Sequence, residues 1–137
     1  MPAIKELMRT EQDGTISFGD YTLEAKSKLQ DYEHGGDLYK VKTFRDITKL
    51  ERNGMFVYES VPGTAVEGFR ADDAGVSFTV EGDRDAQITL ELSDGAAYDV
   101  MIGGADAGVM SAGTSGKLTL SVELSEGTPV PVEIRKR

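Results

Sequence analysis

The chain contains one histidine, His34, in Asp31-Tyr32-Glu33-His34-Gly35-Gly36-Asp37. With Asp37 and a serine it could be arranged as a general-base system, yet the sequence has no Gly-x-Ser-x-Gly elbow, so His34 reads as an exposed loop residue. There is no cysteine, which removes thiolate nucleophiles and thiolate ligands, and a single histidine is too few for the usual zinc or iron sites. Oxygen ligands are plentiful. Asp72-Asp73 and Asp83-Arg84-Asp85 lie near strand ends and could converge on calcium, but they lack the EF-hand spacing and read as solvated turns. Gly113-Thr114-Ser115-Gly116 has no Lys-Ser/Thr after it and precedes a strand pattern, so it reads as a connection, not a phosphate cradle. Paired carboxylates could hydrolyse a glycosidic bond, and Glu59 beside Tyr58 is the acid to inspect. Among the rings, Tyr21, Tyr39, Phe56 and Tyr58 form a possible interface or ligand platform, because flat rings present apolar faces to sugars or to another chain. The competing reading makes them core, the commoner fate of strand aromatics. No metal ligand set, cofactor motif or catalytic residue emerges, and none is expected.

The elements that would carry these residues are strands. Val76–Val80, Ala86–Leu92, Tyr98–Ile102, Lys117–Leu124 and Val130–Ile134 alternate apolar and polar residues, the period of a strand with one dry and one wet face. Their inward set is Val76, Phe78, Val80, Ala86, Ile88, Leu90, Leu92, Tyr98, Val100, Ile102, Leu118, Leu120, Val122, Leu124, Val130, Val132 and Ile134. Glu81–Asp85, Ser93-Asp94-Gly95, Gly103–Asp106 and Ser125–Thr128 supply turns, with Ala107–Met110 as a short return strand. Links this short imply an antiparallel meander or Greek key. Pro129 and Pro131 place the last strand at a sheet edge.

Earlier in the chain the strands are Thr15–Phe18, Tyr21–Leu23, Leu38–Phe44, Ile47–Arg52 and Met55–Ser60, and Ile4–Arg9 could form a helical turn. Asn53-Gly54 is the strongest local signal. A two-residue type I′ turn there pairs Arg52 with Met55, Leu50 with Val57 and Lys49 with Tyr58. The alternative is a helix over Phe44–Arg52 capped by the same dipeptide. Val61-Pro62-Gly63-Thr64 suits a type II turn. Eight of the ten Phe and Tyr residues precede residue 70, and Val66–Gly75 reads as a seam. The chain is therefore expected to be all-β, with an aromatic-rich N-terminal lobe (1–69) and a C-terminal sandwich or small barrel (70–137).

The net charge of −9 disfavours nucleic acid and anionic lipid as partners. Met1–Arg9 has no apolar core of a secretory signal, and no run reaches the ~20 apolar residues that span a bilayer, so a cytoplasmic location is expected.

Gly36–Thr43 followed by Lys49–Thr64 resembles a group of small proteins of gut clostridia that are commonly called endosialidases. The resemblance extends to Gly116-Lys117-Leu118 and Val132-Glu133-Ile134. It implies a polysialic-acid hydrolase or a binder related to phage tailspikes. Sialic-acid hydrolysis uses an arginine cluster with a Tyr/Glu pair, whereas Arg9, Arg45, Arg52, Arg70 and Arg84 are spread along this sequence.

Read together, these features point to a non-catalytic structural or assembly protein forming a homo-oligomer. A carbohydrate-binding module is the alternative, and a small glycoside hydrolase a more distant one.

Overall fold

The apolar–polar alternation is realised as thirteen strands in two antiparallel sheets, and among the described residues there is no helix. The structure, a computed structural model, describes residues 6–113 and 115–137. The strands are β1 (Met8–Thr10), β2 (Ile16–Phe18), β3 (Ser27–His34), β4 (Asp37–Phe44), β5 (Ile47–Arg52), β6 (Met55–Val61), β7 (Ala65–Asp72), β8 (Gly75–Glu81), β9 (Ala86–Glu91), β10 (Ala97–Ile102), β11 (Ala105–Ser111), β12 (Lys117–Val122) and β13 (Val130–Lys136). One sheet runs β1-β2-β7-β8-β13-β10-β11 and the other β12-β9-β6-β5-β4-β3. They face each other as an open β-sandwich. No helix among the described residues is long and apolar enough to cross a membrane.

The two expected lobes do not separate. A boundary after residue 69 falls inside β7, and each sheet takes strands from both halves of the chain. One continuous core runs from Met8 and Phe18 through Leu50 and Tyr58 to Ile88, Val100, Leu120 and Ile134. Each such side chain contributes about 1.5–3 kcal/mol by leaving water, which neither half could gather alone. Of the inward set read from the second half, all are buried except Leu92, Ile102 and Val130, which pack against that core.

The second half is not a simple meander. Glu81–Asp85 and Ser93–Gly95 join strands of opposite sheets, since β8 and β10 lie in one sheet and β9 in the other. Packed sheets stand only ~10 Å apart, so a short link can cross between them as readily as it can close a hairpin. Nor is β13 an edge strand, because it pairs with both β8 and β10. Pro131 is tolerated because its backbone faces the end of β10. Its carbonyl accepts from Gly103 N–H (2.8 Å) in the β10–β11 turn, and the ladder with β10 begins one residue later at Val132.

Other departures are local. The seam Val66–Gly75 contains most of β7, with Val66 and Phe69 buried. The strand expected at Tyr21–Leu23 is a loop, whereas His34, expected in a loop, is the last residue of β3. Glu6 and Leu7 take left-handed φ (63° and 71°) and Met8 begins β1, so no helical turn forms there; Met1–Lys5 and Thr114 lie outside the described residues. Gly63 does not have the left-handed φ a type II turn needs, and the Val61–Pro62 bond is cis.

Candidate functional site

Asn53 and Gly54 both have positive φ (52° and 80°), which closes the β5–β6 hairpin with Arg52 opposite Met55 as the turn chemistry requires. The register then shifts between Leu50 and Glu51, so Leu50 faces Tyr58 and Lys49 faces Glu59. Without that bulge Tyr58 would share the outer face with Lys49. With it, Tyr58 turns inward and Phe56 stays outside.

The expected platform is therefore dismantled. Tyr58 is fully buried, its hydroxyl at 2.8 Å from Thr64 Oγ1, and burial pushes its pKa up. Tyr39 belongs to the same core. Tyr21 is buried against Ala65, apart from that core. Its hydroxyl has no hydrogen-bond partner among the described residues, and burial, then Glu81, Glu126, Asp83 and Asp20, push its pKa up to about 12. Only Phe56 is half-exposed, with Lys117 Nζ 5.0 Å from the ring centroid. Beside Tyr21 a cleft of about 500 Å³ gathers Arg45 and Arg84 with Glu24, Asp83 and Glu126. Its guanidinia are engaged, Arg45 with Glu24 (3.9 Å) and Asp46 (3.7 Å), and Arg84 with Asp83 (3.6 Å) and the Arg45 carbonyl (3.2 Å). Of the five scattered arginines this brings two together, while Arg9, Arg52 and Arg70 lie elsewhere.

His34 ends β3, half-buried and edge-on to Tyr39. Its Nδ1 is 3.2 Å from Thr10 Oγ1, and that hydroxyl also meets Tyr32 OH at 2.9 Å. Asp37 turns instead to Asn53, accepting from Nδ2 at 2.9 Å. The acidic turns do not converge: Asp72-Asp73 precede β8 and Asp83–Asp85 follow it, so the seven residues of that strand, roughly 20 Å, hold them apart. Among the described residues no group of three or more His, Asp or Glu is placed to hold a metal ion. Glu59 stands on the outer face between Lys49 and Thr89.

One carboxylate pair escaped the sequence reading. Glu67 and Glu81 lie diagonally on β7 and β8, with Glu67 also 3.9 Å from Arg9. Partial burial, then Glu81, hold the Glu67 carboxyl above its usual range. Ionising Glu67 therefore disfavours the fold: stability from its protonated form is present below the ordinary carboxylate pKa and is lost as pH rises through the raised one. Glu67→Gln is expected to raise stability at neutral pH by on the order of 0.5 kcal/mol, screened by solvent and offset by Arg9, with the gain vanishing in the acid range. Thermal melts at both pH values check this, and a destabilised variant at neutral pH would contradict it.

The two flanks of the sandwich differ in kind. On one, β1 and β3 are laced across the sheets by the Thr10–Tyr32 and Thr10–His34 contacts. There β3 carries Lys28, Asp31 and Glu33 and is broken by a register shift, with Asp31 left-handed (φ 59°). These are devices that discourage strand addition. On the other flank the outermost strands are β11 and β12. Nearly all of β11 is exposed, Val109 included; it carries Asp106 and its own register shift against β10, beside left-handed Gly108 (φ 92°), so of the two only β12 is plain. Six regular pairs join β12 to β9 without a bulge, and β12 carries no proline and one charge, Lys117.

No family model, no curated protein and no solved structure matches the chain.

Proposed function

We propose that this chain is a non-catalytic structural protein that builds a homo-oligomer through its open flank. The edge strand β12, regular and nearly uncharged, carries the reading. A sheet edge with free backbone N–H and C=O groups templates further strands, and proteins that stay monomeric usually blunt such edges with charge, proline or bulges. This chain applies those devices on the β1/β3 side and spares β12. Closed symmetric assemblies of identical chains are the commonest way to cover such an edge.

The glycan-binding alternative rested on four rings, of which three are occupied in packing, Tyr39 and Tyr58 in the core and Tyr21 on Ala65, leaving Phe56 alone on the outer face. Catalysis has no better support from the arrangement of His34, whose neighbouring acid Asp37 is committed to Asn53. Light scattering on the purified chain at micromolar concentration is expected to give a whole multiple, above one, of 14.8 kDa. A strict monomer there would sink the proposal.

A further inference from the structure

Four connections between strands meet at one cleft. Tyr21 and Glu24 lie between β2 and β3, Arg45 in the β4–β5 turn, Asp83 and Arg84 between β8 and β9, and Glu126 between β12 and β13, and all six line the cleft of about 500 Å³. Hydrogen bonds pin these connections. Arg45 N–H donates to the Leu23 carbonyl (2.9 Å), Gly63 N–H to the Arg45 carbonyl (3.0 Å), and Leu124 N–H to Asp85 Oδ1 (3.0 Å). The walls are therefore set by tethered backbone, the usual construction of a small-molecule site.

Two groups of the lining have no partner among the described residues. Tyr21 is only 5% exposed, and its hydroxyl makes no hydrogen bond there. That hydroxyl lies on the cleft side, because the charges that act on it include Glu126 and Asp83, which line the cleft. The other acids around it are committed. Glu24 and Asp83 face Arg45 and Arg84, Asp20 accepts from Thr22 N–H (2.9 Å), and Glu81 is engaged by Glu67. The Glu126 carboxylate has neither an ion pair nor a hydrogen bond among the described residues. Two guanidinia against three carboxylates leave the lining one positive charge short.

We infer that this cleft binds a small ligand through a primary ammonium group, which donates to the Tyr21 hydroxyl oxygen and pairs with the Glu126 carboxylate. The site stands apart from the assembly reading and does not require it. An ammonium supplies the missing charge, and it gives the buried hydroxyl the partner whose lack is costly. Its compact head with diverging donors suits one hydroxyl and one carboxylate, whereas a guanidinium fork suits two parallel oxygens. A metal ion is a poorer match, because among the described residues no three His, Asp or Glu are placed to hold one. An anion would meet guanidinia that already face carboxylates, and it would deepen the negative surplus. Arg84 and Glu126 are exposed, so a ligand reaches the hydroxyl by shifting side chains alone.

The probe is butylammonium chloride, titrated into the full chain at constant ionic strength and read by NMR, with circular dichroism to confirm folding of each variant. Saturable shifts at Tyr21 and Glu126 are expected. Tyr21→Phe keeps the ring on Ala65 and removes an unsatisfied hydroxyl, so it is expected to fold at least as stably as the wild type and to bind about tenfold more weakly. Glu126→Gln is expected to weaken binding by a similar factor. Tetramethylammonium carries the charge without any N–H, and it is expected not to saturate the site; the same holds for calcium chloride. Butylammonium binding unchanged by Tyr21→Phe would overturn the assignment. So would tetramethylammonium or calcium binding as tightly as butylammonium, or the absence of any saturable shift.

Discussion

Tyr58→Ala is expected to lower stability by about 3–5 kcal/mol, a large share of the 5–15 kcal/mol typical of a domain. The ring is the meeting point of the aromatic core. It stands edge-on to Phe18 at 5.2 Å and to Phe78 at 5.7 Å, with Phe69 at 6.3 Å. The adjoining polar network adds to the loss: Tyr58 OH meets Thr64 Oγ1, which also contacts Ser60 Oγ at 2.7 Å, while Thr48 Oγ1 donates to the Thr64 carbonyl at 2.9 Å. Tyr58→Phe keeps the packing and loses one buried hydrogen bond, expected to cost about 1 kcal/mol. Phe56→Ala, two residues away on the outer face, is expected to cost less than Tyr58→Ala. Urea denaturation of the three variants checks the order. Equal losses from Tyr58→Ala and Phe56→Ala would refute the bulge-dependent placement of Tyr58.

That contrast shows what the amino-acid pattern could and could not reveal. Asn53-Gly54 marks its turn because few residues accept positive φ in succession, and the strand beyond it is visible from its β-branched and aromatic residues. The bulge leaves no comparable mark. Nothing in Met55-Phe56-Val57-Tyr58 says that Val57 is the extra residue, yet that one insertion decides whether Tyr58 faces water or the core. The same blindness hid β7, where Val66 and Phe69 are three apart and break the two-residue period. Gly68, left-handed at 64°, marks the register shift that brings both inward. β3 was obscured for another reason. As a flank strand it is rich in charge, and its one cue was Gly35-Gly36, a second turn with consecutive positive φ, 58° and 84°.

The strands of the second half were legible because each has a clean wet and dry face, whereas their assignment to sheets was not. Alternation along a strand records burial, and burial is the same whichever sheet supplies it. The edge position of β12 belongs to that hidden layer. Nothing in its alternation says that β12 lies outermost, with Thr119 and Ser121 facing away from β9.

Gly75 offers the second large effect, and its cause is equally invisible in the sequence, where it reads as one more turn residue. It opens β8 with φ of 144°, opposite Asp72 in the β7–β8 hairpin and Arg135 of β13. A Cβ there would lie 1.9 Å from the Ile134 carbonyl oxygen and 3.0 Å from its carbon. No rotamer change relieves a clash with backbone. β13 cannot step aside freely either, because β10 holds its other edge and Lys136 N–H is bound to the Ala74 carbonyl at 2.8 Å. Gly75→Ala is therefore expected to cost about 3 kcal/mol or more, combining backbone strain with forced displacement of two central strands. Gly104→Ala is the matched comparison: its φ is also left-handed, at 82°, but nothing lies within 4 Å of the added carbon. That variant is expected to lose only about 1–2 kcal/mol, the cost of the dihedral alone. The difference between the two, measured by denaturant midpoints, reports the closeness of β13 to β8, and losses of equal size would show that the approach is not what demands glycine.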